Sequence, residues 1–161
     1  MMRRIFLAAF VAACLPAAAQ VVPNANYTDM WWNPSESGWG ISFMQHTGSN
    51  QAYATWYTYD ARQVDAATGQ NKALWIVMTG GTWTAPNRIT GDAYVLNGTP
   101  YTQNGSNKTV TRVGTFVLTF SDASNGTFQY DIAAPAGLAP SDPAFNLPSM
   151  AGTRAITRFA F

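Results

Sequence analysis

Apolar and polar side chains alternate along most of the chain, with the period of two that predicts β-strands. Two regular strands run over Trp39–His46 and Gln51–Asp60, on either side of a short polar turn. The clearest hairpin joins Val110–Ser121 to Thr127–Ile132 through a turn that ends in Asn-Gly, a pair that tolerates positive φ. No segment of ten or more residues shows helical spacing, so the pattern predicts an all-β protein.

Four further strands are shorter or less regular, and they bring the predicted total to eight. They are Tyr27–Trp32, Lys72–Thr79, Arg88–Leu96 and Arg154–Phe161. Because most connections are short, successive strands are expected to pair as a single antiparallel up-and-down meander. Closing such a meander into a small barrel removes its two edges, so a closed barrel is the predicted architecture. A two-sheet β-sandwich is the alternative.

The first nineteen residues are predicted to lie outside this domain. Two arginines precede an apolar run that ends in small residues before Gln20, which is the anatomy of a secretory signal peptide at 1–19. The run is shorter than the ~20 residues of a membrane-spanning helix. We therefore expect 20–161 to be one exported domain, periplasmic or extracellular, without a membrane span.

The one cysteine of the chain, Cys14, lies within the predicted leader. The domain is therefore expected to contain neither a disulfide nor a reactive thiol. The sequence before Cys14 also resembles a bacterial lipobox, so a lipid anchor on this residue is the alternative to a cut before Gln20. Without the leader, seven basic residues stand against eight acidic ones. That balance offers no concentrated basic face for nucleic acid.

Two stretches are expected to depart from regular strand geometry. The segment 133–152 has four prolines and no periodicity. Because proline cannot donate to a β-ladder, we predict a mobile or loosely packed loop there. Gly38 and Gly40 flank Trp39 where a loop becomes a strand, and both are predicted to be structural.

The most distinctive stretch is Trp31 to Gly40, which holds three of the six tryptophans and the only glutamate. It resembles the motif Trp-Trp-Asn-Pro-x-Glu-Ser-Gly-Trp-Gly of a group of proteobacterial secreted β-domains. The resemblance continues through Ala54–Asp60, Leu74–Met78, Gly114–Phe120 and Ala155–Arg158, so it covers most of the domain. It implies an exported β-domain, but it supplies no activity and no catalytic residues. The segment 133–152 is longer than that pattern.

The same stretch supplies the candidate binding surface. Adjacent residues on a strand point to opposite faces, so Trp31 and Trp32 cannot both be buried on one side. We expect at least one of these two or Trp56 to be exposed beside the polar turn, where a ring can stack on a partner. A tyrosine stripe alternates with Trp56 and comprises Tyr53, Tyr57 and Tyr59. The candidate binding residues are Trp31, Trp32, Asn33, Ser35, Glu36 and Trp56.

These residues predict a secreted, non-enzymatic binding module for a carbohydrate, a small apolar ligand or a protein. A hydrolase that uses Glu36 is one alternative, because Asp29 or Asp60 could provide the second carboxylate that a glycosidase needs. The competing role for Glu36 is structural, as an acceptor for free backbone N–H groups of its turn. A structural or inhibitory envelope protein is the other alternative.

The remaining chemistry-bearing residues predict no catalytic, metal or cofactor site. His46 is the only histidine, and no Gly-x-Ser-x-Gly turn accompanies it. One histidine is too few for a zinc site, which takes three or four ligands. Asp122, Ser124 and Asn125 could ligate calcium through oxygen, but they are expected to cap their turn instead.

Overall fold

The computed structural model describes residues 20–46, 48–105 and 107–160. Eight antiparallel strands follow one another in chain order around a closed barrel, which confirms the all-β fold and the up-and-down meander. Residues 1–19, with Cys14, lie outside the described residues. Within the described part, no helix is long and apolar enough to cross a membrane. The strands are β1 (Asp29–Asn33), β2 (Glu36–Gln45), β3 (Gln51–Val64), β4 (Asn71–Ala85), β5 (Arg88–Gly98), β6 (Lys108–Phe120), β7 (Asn125–Ile132) and β8 (Met150–Arg158).

The short strand β1 closes the barrel. Trp31 lies opposite Ile41 of β2 on one side and opposite Arg158 of β8 on the other. Several strands are longer than predicted, because alternation continues through residues that usually interrupt a strand. The strand β4 passes through Gly80 and Gly81 with a register shift against β5 and ends only at Ala85.

The inward-facing side chains of all eight strands fill the barrel. The large ones with almost no exposure are Trp31, Trp83, Phe43, Phe116, Phe120, Phe128, Ile41, Ile76, Met78, Ile89, Leu118 and Ile132. An eight-stranded barrel is just wide enough either for such side chains or for one small ligand. Side chains fill most of the interior of this barrel.

The end of the barrel at which β1 begins, called the lower end here, is closed by the N-terminal segment. Tyr27 is buried there and its ring stacks on Phe120, with 4.0 Å between centroids and 7° between planes. The Trp31 Nε1–H donates to the Tyr27 carbonyl over 3.0 Å. The backbone N–H of Asn24 donates to the carbonyl of Pro86 over 2.8 Å, so the segment is tied to two parts of the wall.

The opposite, upper end carries the connection between β7 and β8, residues 133–149. Ala144 and Leu147 from this connection are buried in the core. The hydroxyl of Thr111 donates to the Asp142 carboxylate, with oxygens 2.8 and 2.9 Å apart. The segment is therefore packed against the barrel, and the prediction that it is loosely packed is wrong. The segment closes this end of the barrel and is called the plug loop below. Its prolines cannot join a β-ladder, so side chains of the barrel wall hold it in place instead.

Candidate functional site

Trp31 and Trp32 point to opposite faces of β1. Trp31 is completely buried, with its ring centroid 4.9 Å from that of Phe120. The guanidinium carbon of Arg158 lies 5.2 Å from the centre of the Trp31 ring. Trp32 is partly exposed, with its ring 5.2 Å from that of Phe159. Trp31 is thus a core residue, and its predicted place on a binding surface is wrong.

The polar turn after β1 is organised by Asn33. Its Oδ1 accepts the backbone N–H of Ser35 over 2.9 Å, and its Nδ2 donates to Glu36 Oε1 over 3.1 Å. The turn amide is therefore bound by Asn33, whereas Glu36 was expected to accept it. Ser35 is exposed at the tip of this β1–β2 hairpin.

Glu36 is held by side chains from three directions. Besides Asn33, the Nε1–H of Trp39 donates to its Oε2 over 3.2 Å. The Nε of Arg154, on β8, lies 3.4 Å from the same oxygen. Both members of this ion pair are about half exposed, so the pair lies at the surface of the barrel wall.

The ion pair crosses a break in the wall. The strands β1 and β8 pair only at Trp31 with Arg158 and at Trp32 with Thr157. Above these pairs, residues 150–155 of β8 have a partner on β7 but none on β1. Glu36 and Arg154 therefore face each other across an opening between the tip of the β1–β2 hairpin and β8.

A cavity of about 150 Å³ lies behind this opening. Trp56 forms part of its wall and is 6 % exposed, with its ring 4.7 Å from that of Tyr130 and 5.3 Å from that of Phe128. The Trp56 Nε1–H is buried without a hydrogen-bond partner in the described structure. The lining residues are Glu36, Trp39, Trp56, Thr58, Phe128, Tyr130 and Arg154.

Of the six predicted binding residues, Glu36 and Trp56 line the same cavity. Asn33 does not line it but donates a hydrogen bond to Glu36. Trp56 lines this cavity and is buried, so of the three tryptophans of which at least one was expected to be exposed, Trp32 is the one that is partly exposed. Trp32 and Ser35 do not line this cavity. Sequence reasoning missed Tyr130 and Arg154, because only the pairing of β7 with β8 and the closure through β1 bring them to Glu36.

The acids proposed as partners of Glu36 lie elsewhere. Asp29 is at the lower end of β1, where its Oδ2 is 3.4 Å from Nη1 of Arg158. Asp60 binds the Arg62 guanidinium through both oxygens, at 2.8 and 2.7 Å. These hydrogen bonds hold the pKa of Asp60 below its usual value, against the opposing effect of burial. Glu36 is the one acid among the described residues that line the cavity.

The other polar candidates have local structural roles. Nδ1 of the exposed His46 accepts the backbone N–H of Gly48 over 3.2 Å. Oδ1 of Asp122 accepts the N–H groups of Ser124 and Asn125 over 2.7 and 2.9 Å, which is turn capping. The described residues contain no group of three or more histidines, cysteines and acids that could hold a metal ion.

A second concave surface lies on the outside of the barrel, over β2, β3 and β4. Trp75 is 62 % exposed and Tyr59 is 60 % exposed. Tyr57 lies opposite Trp75 in the register, and their rings are 6.1 Å apart at 77°. Together with Gly38 and Gly40 these rings line an open groove of about 320 Å³, called the outer aromatic groove below.

Two glycines keep this groove free of side chains on β2. Gly38 has φ +91°, a conformation that favours glycine, and a Cβ at this position would lie 3.6 Å from the Tyr59 ring. Gly40 lies opposite Tyr57 in the β2–β3 pairing. Trp39 and Thr58 border both the groove and the interior cavity, so the two sites are back to back on the same part of the wall.

The groove was only partly visible in the sequence. The tyrosine stripe of β3 predicts an aromatic face, and it is confirmed as an outward row. The contribution of Trp75 depends on the register between β3 and β4, which the sequence does not specify. Comparison of the chain with protein-family models, curated proteins and solved structures gave no match, so the family resemblance of the Trp31–Gly40 stretch stays a prediction.

Proposed function

We propose that this protein is a secreted, non-enzymatic binding module whose ligand is a carbohydrate held in the outer aromatic groove. The observation that carries the proposal is the corner formed by Tyr57 and Trp75, whose rings stand at 77° to each other beside exposed Tyr59. The faces of aromatic rings carry partial negative charge, so they attract the polarised C–H groups of a sugar ring. Phenol hydroxyls beside those faces can exchange hydrogen bonds with the hydroxyls of the sugar.

The shape of the groove favours a carbohydrate over the other two ligand classes. A small apolar ligand is usually buried over most of its surface, whereas this groove is open to solvent along the outside of the barrel. A stable protein interface covers roughly 800 Å² on each partner. The groove, with a volume of about 320 Å³ and three rings on its walls, is a small and local feature by comparison.

The surroundings of Glu36 favour binding over hydrolysis. Glycosidases generally work with two carboxylates flanking the bond that is cut. Glu36 shares its cavity with a cation, Arg154, and the candidate Asp60 does not line this cavity and is bound at both oxygens by Arg62. A Glu36→Gln variant is therefore expected to bind the same polysaccharides as the wild type, and release of reducing sugar by the wild type would favour the hydrolase.

Export is the second part of the proposal. Val21 and Ala25 pack against the core, so a cut after Ala19 would leave the contacts of the N-terminal segment intact. The intact mass of the exported protein should correspond to a chain that begins at Gln20. A mass that corresponds to a lipid-modified chain beginning at Cys14 would instead support the anchored form.

Affinity electrophoresis through gels that contain a soluble polysaccharide tests the groove. The panel is β-glucan, xylan, mannan and glycol chitin, and at least one should retard the wild-type protein. Trp75→Ala should lose that retardation, because truncation of a central aromatic in a binding site commonly weakens binding tenfold or more. Tyr101→Ala is the matched control, since Tyr101 is 99 % exposed and lies outside the groove.

Two results would contradict the proposal. Equal retardation of the wild type and Trp75→Ala would place binding elsewhere on the protein. Failure of every polysaccharide to retard the wild type would favour the structural or inhibitory envelope protein.

A further inference from the structure

The outer aromatic groove lies at one end of a longer row of tyrosines on β3. Tyr53, Tyr57 and Tyr59 are 38 to 60 % exposed and project outward from the same face of the strand. Thr55 stands between Tyr53 and Tyr57 on that face. From Tyr53 to Tyr59 the row covers about 20 Å, at about 3.3 Å per residue. This aromatic surface is therefore several times longer than one sugar ring.

A hydrogen bond fixes the ring at the other end of the row. The Thr55 hydroxyl donates to the hydroxyl oxygen of Tyr53 over 2.9 Å. The phenol of Tyr53 therefore lies along β3 toward Tyr57, which agrees with an exposure of only 5 % for the outward Thr55. A ring that is held in place before binding loses little conformational entropy when a ligand stacks on it.

Tyr53 also borders a second hollow on the outside of the barrel, called the Tyr53 hollow below. It has a volume of about 230 Å³ and is open to solvent, and its outward side chains are those of Met44, His46, Gln51, Tyr53 and Thr79. Met44 lies opposite Tyr53 in the β2–β3 pairing and is 57 % exposed. The hollow thus combines apolar surface with the amide of Gln51 and the hydroxyl of Thr79, which can exchange hydrogen bonds with a ligand.

The part of the wall that carries both hollows has no charged side chain of its own. None of residues 38–46 on β2, 51–59 on β3 and 73–79 on β4 is an aspartate, glutamate, lysine or arginine. An acidic chain laid on this surface would lose water from its carboxylates without gaining a cation, and a basic chain would gain no carboxylate. A neutral chain incurs neither cost.

We infer that one ligand occupies both hollows, namely several consecutive units of a neutral polysaccharide laid along β3 from Tyr59 to Tyr53. The inference rests on the proposed function and extends it, because it specifies the charge and the minimum length of the carbohydrate. Both hollows are open, so the chain can continue past each end of the row. Affinity should rise with chain length until the row is covered.

Chain length tests the inference, and the readout is the indole N–H signal of Trp75 in the ¹⁵N-labelled protein, assigned with Trp75→Phe. Oligosaccharides of two and of six units, derived from cellulose, xylan, mannan and chitin, are titrated separately. In at least one series the six-unit chain should bind roughly 10-fold more tightly than the two-unit chain, because it adds contacts at Tyr53. Hexagalacturonate, an acidic chain of the same length, should not shift the signal.

Tyr53→Ala should weaken binding of the six-unit chain roughly 3- to 10-fold, the worth of one ring contact. Binding of the two-unit chain should be unchanged, since Tyr57 and Trp75 can hold the shorter chain, and this result also shows that the variant is folded. Tyr101→Ala is the matched control, because Tyr101 is exposed and lines neither hollow.

Three results would overturn the inference and leave the carbohydrate proposal at Trp75 intact. In the first, both chain lengths bind equally in every series that binds. In the second, Tyr53→Ala binds the six-unit chain like the wild type or weakens both chains equally. In the third, hexagalacturonate binds as tightly as the neutral chains. If no chain shifts the Trp75 signal, the proposed function fails and the inference fails with it.

Discussion

Arg62 binds Asp60 through two parallel hydrogen bonds, and its remaining terminal nitrogen holds the plug loop. Nε to Oδ1 is 2.8 Å and Nη2 to Oδ2 is 2.7 Å, while Nη1 donates to the carbonyls of Pro143 and Phe145 at 3.0 and 2.7 Å. The two residues are neighbours on one face of β3. One guanidinium therefore connects the barrel wall to the segment that closes the upper end.

Removal of this guanidinium should release the plug loop. Arg62→Ala leaves the buried Asp60 carboxylate without its cation and with only the backbone N–H of residue 62 as a donor, and breaking such a pair typically costs about 3–5 kcal/mol of unfolding free energy. Chymotrypsin should cut the wild type after the exposed Tyr101 and spare Phe145, whereas the variant should also be cut after Phe145. Arg88→Ala, on an exposed arginine, is the control and should keep the wild-type pattern. Early cutting of the wild type at Phe145 would mean that the loop is not docked.

Acid should weaken the same connection. The hydrogen bonds from Arg62 lower the pKa of Asp60 below its ordinary value of 3.8 in the folded protein. A depressed folded-state pKa gives stability that is complete above the unfolded-state value and is lost as pH falls through the folded-state value. The difference in melting temperature between the wild type and Asp60→Asn should therefore be constant near neutral pH and shrink below about pH 4. A difference that is constant down to pH 2 would show that the carboxylate charge contributes nothing.

Gly38 and Gly40 were both predicted to be structural, but the structure separates them. Only Gly38 has a positive φ, at +91°. An alanine there adopts a strained backbone, so Gly38→Ala should lower the unfolding free energy by about 1–3 kcal/mol. Gly40→Ala is the natural control, since its Cβ would lie 3.5 Å from the Trp31 carbonyl oxygen, an ordinary contact. Urea unfolding measures both, and equal losses would contradict the argument from backbone strain.

The fold followed from the sequence because period two and short connections leave few arrangements for eight strands. Which side chains share a face of the barrel wall also followed, as the opposite faces of Trp31 and Trp32 illustrate. Alternation does not say which face is the interior, and this is why Trp56 was kept among the three tryptophans that could be exposed. The outward face of β3 belongs to Tyr57 and Tyr59, and Trp56 is consequently inside.

Two features could not be derived from local pattern. The break beside Arg154 depends on how far β1 extends along β8, a question of register between the first and last strands. The plug loop has no periodic signal, and its docking depends on Arg62 and Thr111, which precede it by many residues. Long-range contacts of this kind leave no trace in a single sequence.

Fluorescence quenching should identify Trp75 as the tryptophan of the working surface. Trp31, Trp56 and Trp83 are at most 6 % exposed, whereas Trp75 is 62 % exposed. Acrylamide should therefore quench the emission of Trp75 most strongly, with smaller contributions from the partly exposed Trp32 and Trp39, and Trp75→Phe should remove the largest share of the quenchable fraction. Trp31→Phe is the control, and it should leave the quenchable emission unchanged.

The same measurement links exposure to function. A polysaccharide that stacks on the Trp75 ring should shield it from acrylamide, and this protection should be absent in Trp75→Phe. If quenching of the wild type is as weak as that of Trp75→Phe, the ring is not exposed and the outer aromatic groove cannot be the binding surface. If quenching is strong but no polysaccharide reduces it, the groove exists and the carbohydrate proposal is wrong.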